Sequence, residues 1–231
     1  MASKRVAILV PMQIEFDPII TKLDLQLVDD TYVGTYRGIE LVTFLTNIGM
    51  LEARKAAERA VGLDVDLVMV VGICGGLDPD REIGTVIRPL VVADRDRGTQ
   101  YRPVWAEGVS ANGTLSSSNE FVTDPEATEA LRRAGVIAVD METAAVANVC
   151  EAAGVPWSVH RSISDRASDG LVDNDIWAFT QPDGSADPDA LAKYLRADPR
   201  RAVALAQVAR DTEIAANAAA DDAIALLRSL A

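Results

Sequence analysis

"VDMETAAVANVCEAAGVPWSVHRSISD", residues 139–165, packs a strand end, a helix, a turn and a second strand into one unit. Residues 135–141 are a short apolar run of strand length; the stretch from Met141 to Gly154 is Ala-rich, helically spaced and closed by a glycine; "WSVHRSIS" (157–164) is again a buried strand by its β-branched content. A strand, a helix and a further strand in this order belong to an α/β sandwich. Two acids, Asp140 and Glu142, bracket Met141 where the strand opens into the helix. Capping is the ordinary explanation for such acids, and Asp140 is read as the cap.

The same alternation extends outward. Apolar runs at 5–12, 39–45, 66–72 and 84–93 read as further strands, with helices at 50–62 and 124–135 between them. "LVDDTYVGTYRGIELVTF" (27–44) reads as short strands on tight turns, so part of the sheet is antiparallel. "TQPDGSADPD" (180–189) is a Pro/Gly/Asp loop, after which the chain is helical from Asp187 and again from Arg200 to the end. No repeat or linker divides the chain. The expectation is one domain over 1–231, a three-layer α/β/α sandwich around a central mixed, mostly parallel twisted sheet.

A formal charge of −13 and a pI near 4.5 argue against nucleic acid and anionic membranes as partners and favour a small neutral or cationic ligand. Cys74 and Cys150 lack metal-ligand spacing, so no metal and no cofactor is expected. "MASKRVAILVPM" (1–12) runs from a short basic start straight into an acidic, polar segment, which reads as a cytoplasmic protein without a signal peptide.

Residues with chemical potential gather at the strand ends, where ligands bind in sheets of this class. They are Met12 and Glu15, Asn47 and Ile48, Met141 and Glu142, and Arg161, Ser164 and Asp165. Gly72, Cys74, Gly75 and Gly76 read as a tight turn that lets a ligand approach the backbone. They do not form the GxGxxG fingerprint, so nicotinamide binding gains little support. His160, the only histidine, alternates away from Arg161 and reads as structural. Trp177 and Phe179 either close over the pocket from a loop or pack beneath the last helix; packing is favoured for one of them and a lid for neither.

With these motifs in place, "IAVDMETAAVANVCEAAGVPWSVHRSISD" (137–165) resembles the signature region of the nucleoside phosphorylase and nucleosidase superfamily. The resemblance extends to "VAILVPMQIEF", "TNIGMLEARKAA", "VGICGGLDPDREIGTVI" and "SSSNEFV", in the right order over most of residues 5–169. The methylthioadenosine/S-adenosylhomocysteine nucleosidase branch is the most similar pattern. It implies a phosphorylase/hydrolase-like fold and hydrolysis of a purine nucleoside, adenosine-type, to base and sugar. It implies that Glu15, helped by Arg161, activates water, and that Asp165, beside Ser164, protonates the imidazole-ring nitrogen of the purine. Glu142 would grip the ribose hydroxyls and Met141 pack on the sugar. Phe121 would stack on the base and the Val122 backbone read its edge, with Met12, Ile48, Cys74 and Gly75 lining the pocket. A homodimer or higher homo-oligomer is implied too.

Departures bear on the substrate. Val70 and Val71 stand where the phosphorylases place an arginine, and Glu15 would repel phosphate, so water is favoured over phosphate as nucleophile. Ile73 replaces a serine of the nucleosidases. The segment from 99 to 112, with Tyr101, Pro103 and Trp105, is shorter than usual and leaves the 5′ group open. Phosphorolysis, and nucleoside binding without cleavage, are the alternative readings; a pyrimidine phosphorylase fits Asp165 less well.

Overall fold

Side chains of Arg5–Val10 (β1) point alternately into two hydrophobic clusters, Ala7 and Leu9 into one and Val6, Ile8 and Val10 into the other. In the computed structural model, which describes residues 4–170 and 174–231, β1 is thus buried on both faces, as a central parallel strand requires. The first three residues of the N-terminal stretch read above lie outside the described residues. Leu67–Gly76 (β5) divides likewise, Val68 and Val70 against Met69 and Val71. Helices Met50–Val61 (α2) and Thr143–Ala153 (α4) cover one face, and Gln13–Leu23 (α1) and Arg201–Leu230 (α7) the other. Together they make the expected α/β/α layers.

The sheet runs β2-β3-β4-β1-β5-β10-β9-β7-β8, with β2 Gln26–Val28, β3 Thr31–Tyr36, β4 Ile39–Leu45, β7 Val91–Asp94, β8 Thr99–Tyr101, β9 Thr114–Ser117 and β10 Val136–Asp140. Trp157–Arg166 (β11) branches from this path, pairing with β5 and with Val86–Ile87 (β6). β1 is parallel to β4 and β5, and β11 is parallel to β5. The expected tight turns give antiparallel β2-β3-β4 at one edge, with β7-β8 antiparallel at the other. β10 meets β5 antiparallel, at Gly75 and Gly76 only. The remaining helices are Pro125–Arg133 (α3), Asn174–Trp177 (α5) and Pro188–Ala197 (α6). Among the described residues no helix is long and apolar enough to cross a membrane.

Three expectations are corrected and one helix is added. The glycines of β5 form no turn: the strand continues through Gly76, paired to β11 on one side and β10 on the other. The added helix is α1, which carries Pro18 inside it and so lacks one backbone donor. Residues 84–93 are two short strands, since Pro89, between β6 and β7, cannot donate to a ladder. α4 starts at Thr143, so Met141 and Glu142 are the junction and not the first turn.

α7 seats its second half on the sheet through Ala215, Ala216, Ala219, Ala220 and Ala223, small side chains that permit close approach. A polar clamp fixes it. Asp222 lies 2.7 Å from Nδ1 of buried His160 and accepts from Arg88 at 2.6 Å, and His160 Nε2 is 3.0 Å from Ser158 Oγ. His160 is therefore a structural residue facing away from Arg161, as its place in the strand implies. Burial alone would raise the Asp222 carboxyl, but its bonds to His160 and Arg88 prevail and hold it below 3.8. A depressed carboxyl stabilises the fold above its unfolded pKa and loses that contribution as pH falls through the folded one. Asp222→Ala is expected to cost about 3 kcal/mol in urea unfolding at neutral pH, and the gap from wild type is expected to close in acid.

Candidate active site

Glu15 is the third residue of α1, and one of its carboxylate oxygens accepts the Met12 N–H at 2.7 Å, so it does serve the helix start. Its other oxygen does something a cap would not. It accepts the Ile73 N–H of β5 at 2.6 Å and lies 3.6 Å from Arg161 Nη1. Both side chains are only 1% exposed. They can lie this close to β5 because Gly72 has no side chain: a Cβ there would collide with the Glu15 carboxylate and the Arg161 guanidinium.

Arg161, on β11, serves three acids. Its Nη2 donates to Glu142 at 2.8 Å and lies 3.0 Å from Asp140, while Nη1 donates to the Ile73 carbonyl at 3.1 Å. Asp140 also accepts the Thr143 N–H and the Thr143 and Ser117 hydroxyls. Asp140 is therefore a cap, as read from the sequence, and in addition a member of the ion cluster, which the sequence reading missed. Its one signal was the repeated acid at a strand end. Glu142 accepts the Gly49 N–H at 2.9 Å, at the N-terminus of α2, and so ties two helix starts to the guanidinium.

Electrostatics follow from burial. Desolvation pushes the Glu15 carboxyl up to about 7, with Glu142 adding and Arg161 and the two N–H groups opposing. Burial likewise raises Glu142, with Asp140 adding and Arg161 opposing. Burial alone would lower Arg161, but Asp140, Glu142 and Glu15 outweigh it and keep the guanidinium charged. On the same strand Asp165 is raised, first by burial and further by Asp169 and Asp211, against the Ser164 hydroxyl that donates to it at 2.7 Å. Burial also lifts the Cys74 thiol well above its usual range, so it is inert at neutral pH.

A cavity of about 540 Å³ opens over this cluster, at the carboxyl ends of β1, β5 and β11. All twelve residues selected from the sequence line it: Glu15, Arg161 and Asp165; Met12, Ile48, Cys74 and Gly75; Phe121 and Val122; Met141, Glu142 and Ser164. Gly75 lies beside Asp165: a Cβ there would press on Val139 at 3.2 Å and touch the Asp165 carboxylate at 3.5 Å. Two assignments change. Trp177 lines the cavity and stacks on Phe121, with ring centroids 5.5 Å apart and planes 7° from parallel; Phe179 also lines it while packing on Tyr194. By contrast, residues 99–112 supply none of its described walls, and Trp105 packs instead against the hydrophobic cluster under α2 and α4. Walls that sequence reasoning missed come from 176–186 and from Leu205, Val208 and Thr212 of α7.

Comparison with known proteins finds matches over most of the chain. The sequence model of the phosphorylase superfamily matches residues 5–107 and 106–195. A 5′-methylthioadenosine/S-adenosylhomocysteine nucleosidase from Lysinibacillus sphaericus is 30% identical over 58% of this chain and 72% of its own length. One from Marinomonas sp. is 28% identical over 60% and 73%. Among solved structures, a Helicobacter pylori 5′-methylthioadenosine/S-adenosylhomocysteine nucleosidase with a bound inhibitor superposes with a TM-score of 0.73 at 18% identity, covering 99% of this chain and 100% of that one. Futalosine hydrolase of the same organism gives 0.71 at 20%, covering 98% of each.

The raised Glu15 carboxyl carries a stability signature. Its folded pKa of about 7 lies above the ordinary 4.5, so the contribution from its proton is full below pH 4.5 and is lost as pH rises through 7. Unfolding of wild type and Glu15→Gln at pH 5, 6.5 and 8 is expected to show the wild type losing ground to the variant, at up to about 1.4 kcal/mol per pH unit.

Proposed function

The chain belongs to the phosphorylase superfamily, and on that premise we propose that it hydrolyses the N-glycosidic bond of an adenosine-type nucleoside to free base and sugar. The observation that carries the choice of water over phosphate is the saturation of Arg161. Three carboxylates share this one guanidinium. The other arginine lining the cavity, Arg166, pairs with Asp169 at 2.9 Å. A phosphate dianion would thus meet net negative charge and no uncommitted cation among the described walls. Val70 and Val71, where the phosphorylases carry an arginine, are both buried in the hydrophobic clusters.

Each step of the proposed reaction is assigned to a group of the cavity. As the bond from the anomeric carbon to the base nitrogen breaks, positive charge grows on the sugar and negative charge on the base. Glu142, held against Arg161, grips the ribose hydroxyls, and Met141 packs on the sugar. Asp165, whose carboxyl burial raises, gives a proton to the imidazole-ring nitrogen, so the base leaves neutral. Water attacks the anomeric carbon, its oxygen forms the new bond, and Glu15 takes its proton. A carboxyl near 7 is a stronger base than an ordinary glutamate, and about half of it is ionised at neutral pH. Phe121, braced by Trp177, offers its face to the purine. Arg161 holds Glu15 and Glu142 in their roles.

The names of the relatives support a purine nucleoside with a modified 5′ position. The homodimer or higher homo-oligomer implied by the resemblance is part of the same proposal, and light scattering in solution is expected to report at least twice the mass of one 24.6 kDa chain.

Base release from purine nucleosides, with sugar products weighed by mass spectrometry, tests the reaction. Free sugar is expected at equal rates with and without phosphate; a sugar phosphate that needs added phosphate would refute hydrolysis. Glu15→Gln and Asp165→Asn are each expected to lower kcat by about 10²–10⁴-fold while remaining folded. In wild type kcat/KM is expected to rise through a pH near 7 as Glu15 ionises.

A further inference from the structure

Asp140 lines the cavity, yet its side chain has little to offer a substrate. It is only 1% exposed, and groups of the protein occupy both of its oxygens. One accepts the Ser117 hydroxyl. The other accepts the Thr143 N–H at 3.2 Å and the Thr143 hydroxyl, and lies 3.0 Å from Arg161 Nη2. Ser117 and Thr143 are themselves buried, and the Ser117 hydroxyl is fixed by the Ala144 N–H at 3.1 Å. A carboxylate held in such a network is an immobile anchor. What it anchors is the guanidinium.

Arg161 turns one edge to this anchor. Nη2 is shared between Asp140 and Glu142, and Nε donates to the same Thr143 hydroxyl at 3.4 Å. Nη1, on the other side, donates to the Ile73 carbonyl at 3.1 Å. Glu15 therefore receives the weakest share: it lies 3.6 Å from Nη1, beyond hydrogen-bonding distance, although it is the acid assigned to the attacking water. Among the described residues, the other titratable groups at Glu15 are Glu142 and the Cys74 thiol, which burial keeps neutral. α7, which packs along α1, commits Asp221 to Lys22 and Asp222 to His160, and its Asp211 acts on Asp165. The pose of Arg161 thus decides how strongly the Glu15 carboxylate is stabilised.

We propose that Asp140 is a positioning residue for hydrolysis: it holds the Arg161 guanidinium off Glu15 and so leaves that carboxylate able to take a proton from water. Its part in turnover rests on the nucleosidase reading; its effect on Glu15 does not. Asp140→Asn removes the charge and keeps the shape, since the amide oxygen can retain the Thr143 N–H while the NH2 group faces the Ser117 hydroxyl. Arg161 can then move onto Glu15. The rise of kcat/KM with pH is expected to shift down by about one unit, and its plateau to fall, because a better-stabilised carboxylate is a weaker base. A lower plateau at the wild-type midpoint would make Asp140 structural only and overturn the proposal. Glu15 is also titrated in the substrate-free chain by carbon NMR of its carboxyl group, assigned with Glu15→Gln. There the same downward shift supports the proposal, and a midpoint within about 0.3 unit of wild type overturns it, even where no nucleoside is cleaved and the nucleosidase reading fails. Where Asp140→Asn does not fold, Ser117→Ala takes its place. It keeps the charge but removes one donor, so that Asp140 draws harder on Arg161, and the Glu15 midpoint is expected to rise; an unchanged or lower midpoint overturns the proposal.

Discussion

One buried guanidinium holds the functional end of this molecule together. Arg161 meets Glu15 from α1, Asp140 from β10, Glu142 from the junction before α4, and the Ile73 carbonyl of β5. Without it, three carboxylates would face one another in a dry interior, and each would have to take up a proton or draw in water. With it, four elements from distant parts of the chain converge within hydrogen-bonding distance of one planar group.

That convergence depends on the backbone around it. β5 brings Ile73 to the cluster, and Gly72 keeps the space beside it empty for Glu15 and Arg161. On the opposite side of β11, the clamp of Asp222, His160 and Arg88 secures α7, whose first half then reaches across to wall the cavity. Neighbouring residues of one strand thus serve opposite layers, Arg161 the site and His160 the helix behind it.

The chemistry follows from unequal compensation. Arg161 is shared among more acids than it can neutralise, so burial still raises Glu15 to about 7 and raises Glu142 as well. A site with surplus negative charge favours developing positive charge on a sugar and disfavours an incoming anion. Residues 180–186 close one end of this cavity by packing over Met12 and bonding to the Ile48 backbone.

The sequence by itself determined most of the strands and helices, though not α1, β8 or β9, because hydrophobic period and glycine stops are local properties; strand-end motifs together with the family resemblance singled out the twelve cavity residues. It misjudged the glycines of β5, since a glycine that opens space for another side chain reads like one that makes a turn. It took Asp140 for a cap alone and did not bring Trp177 to Phe121, since a cap is visible within four residues whereas an ion pair or a ring stack needs its distant partner. Only the tertiary structure decided which acids share Arg161, that residues 180–186 and α7 enclose the cavity, and that residues 99–112 do not. These are distances between segments far apart in the chain, set by how the layers pack and not by any pattern within one segment.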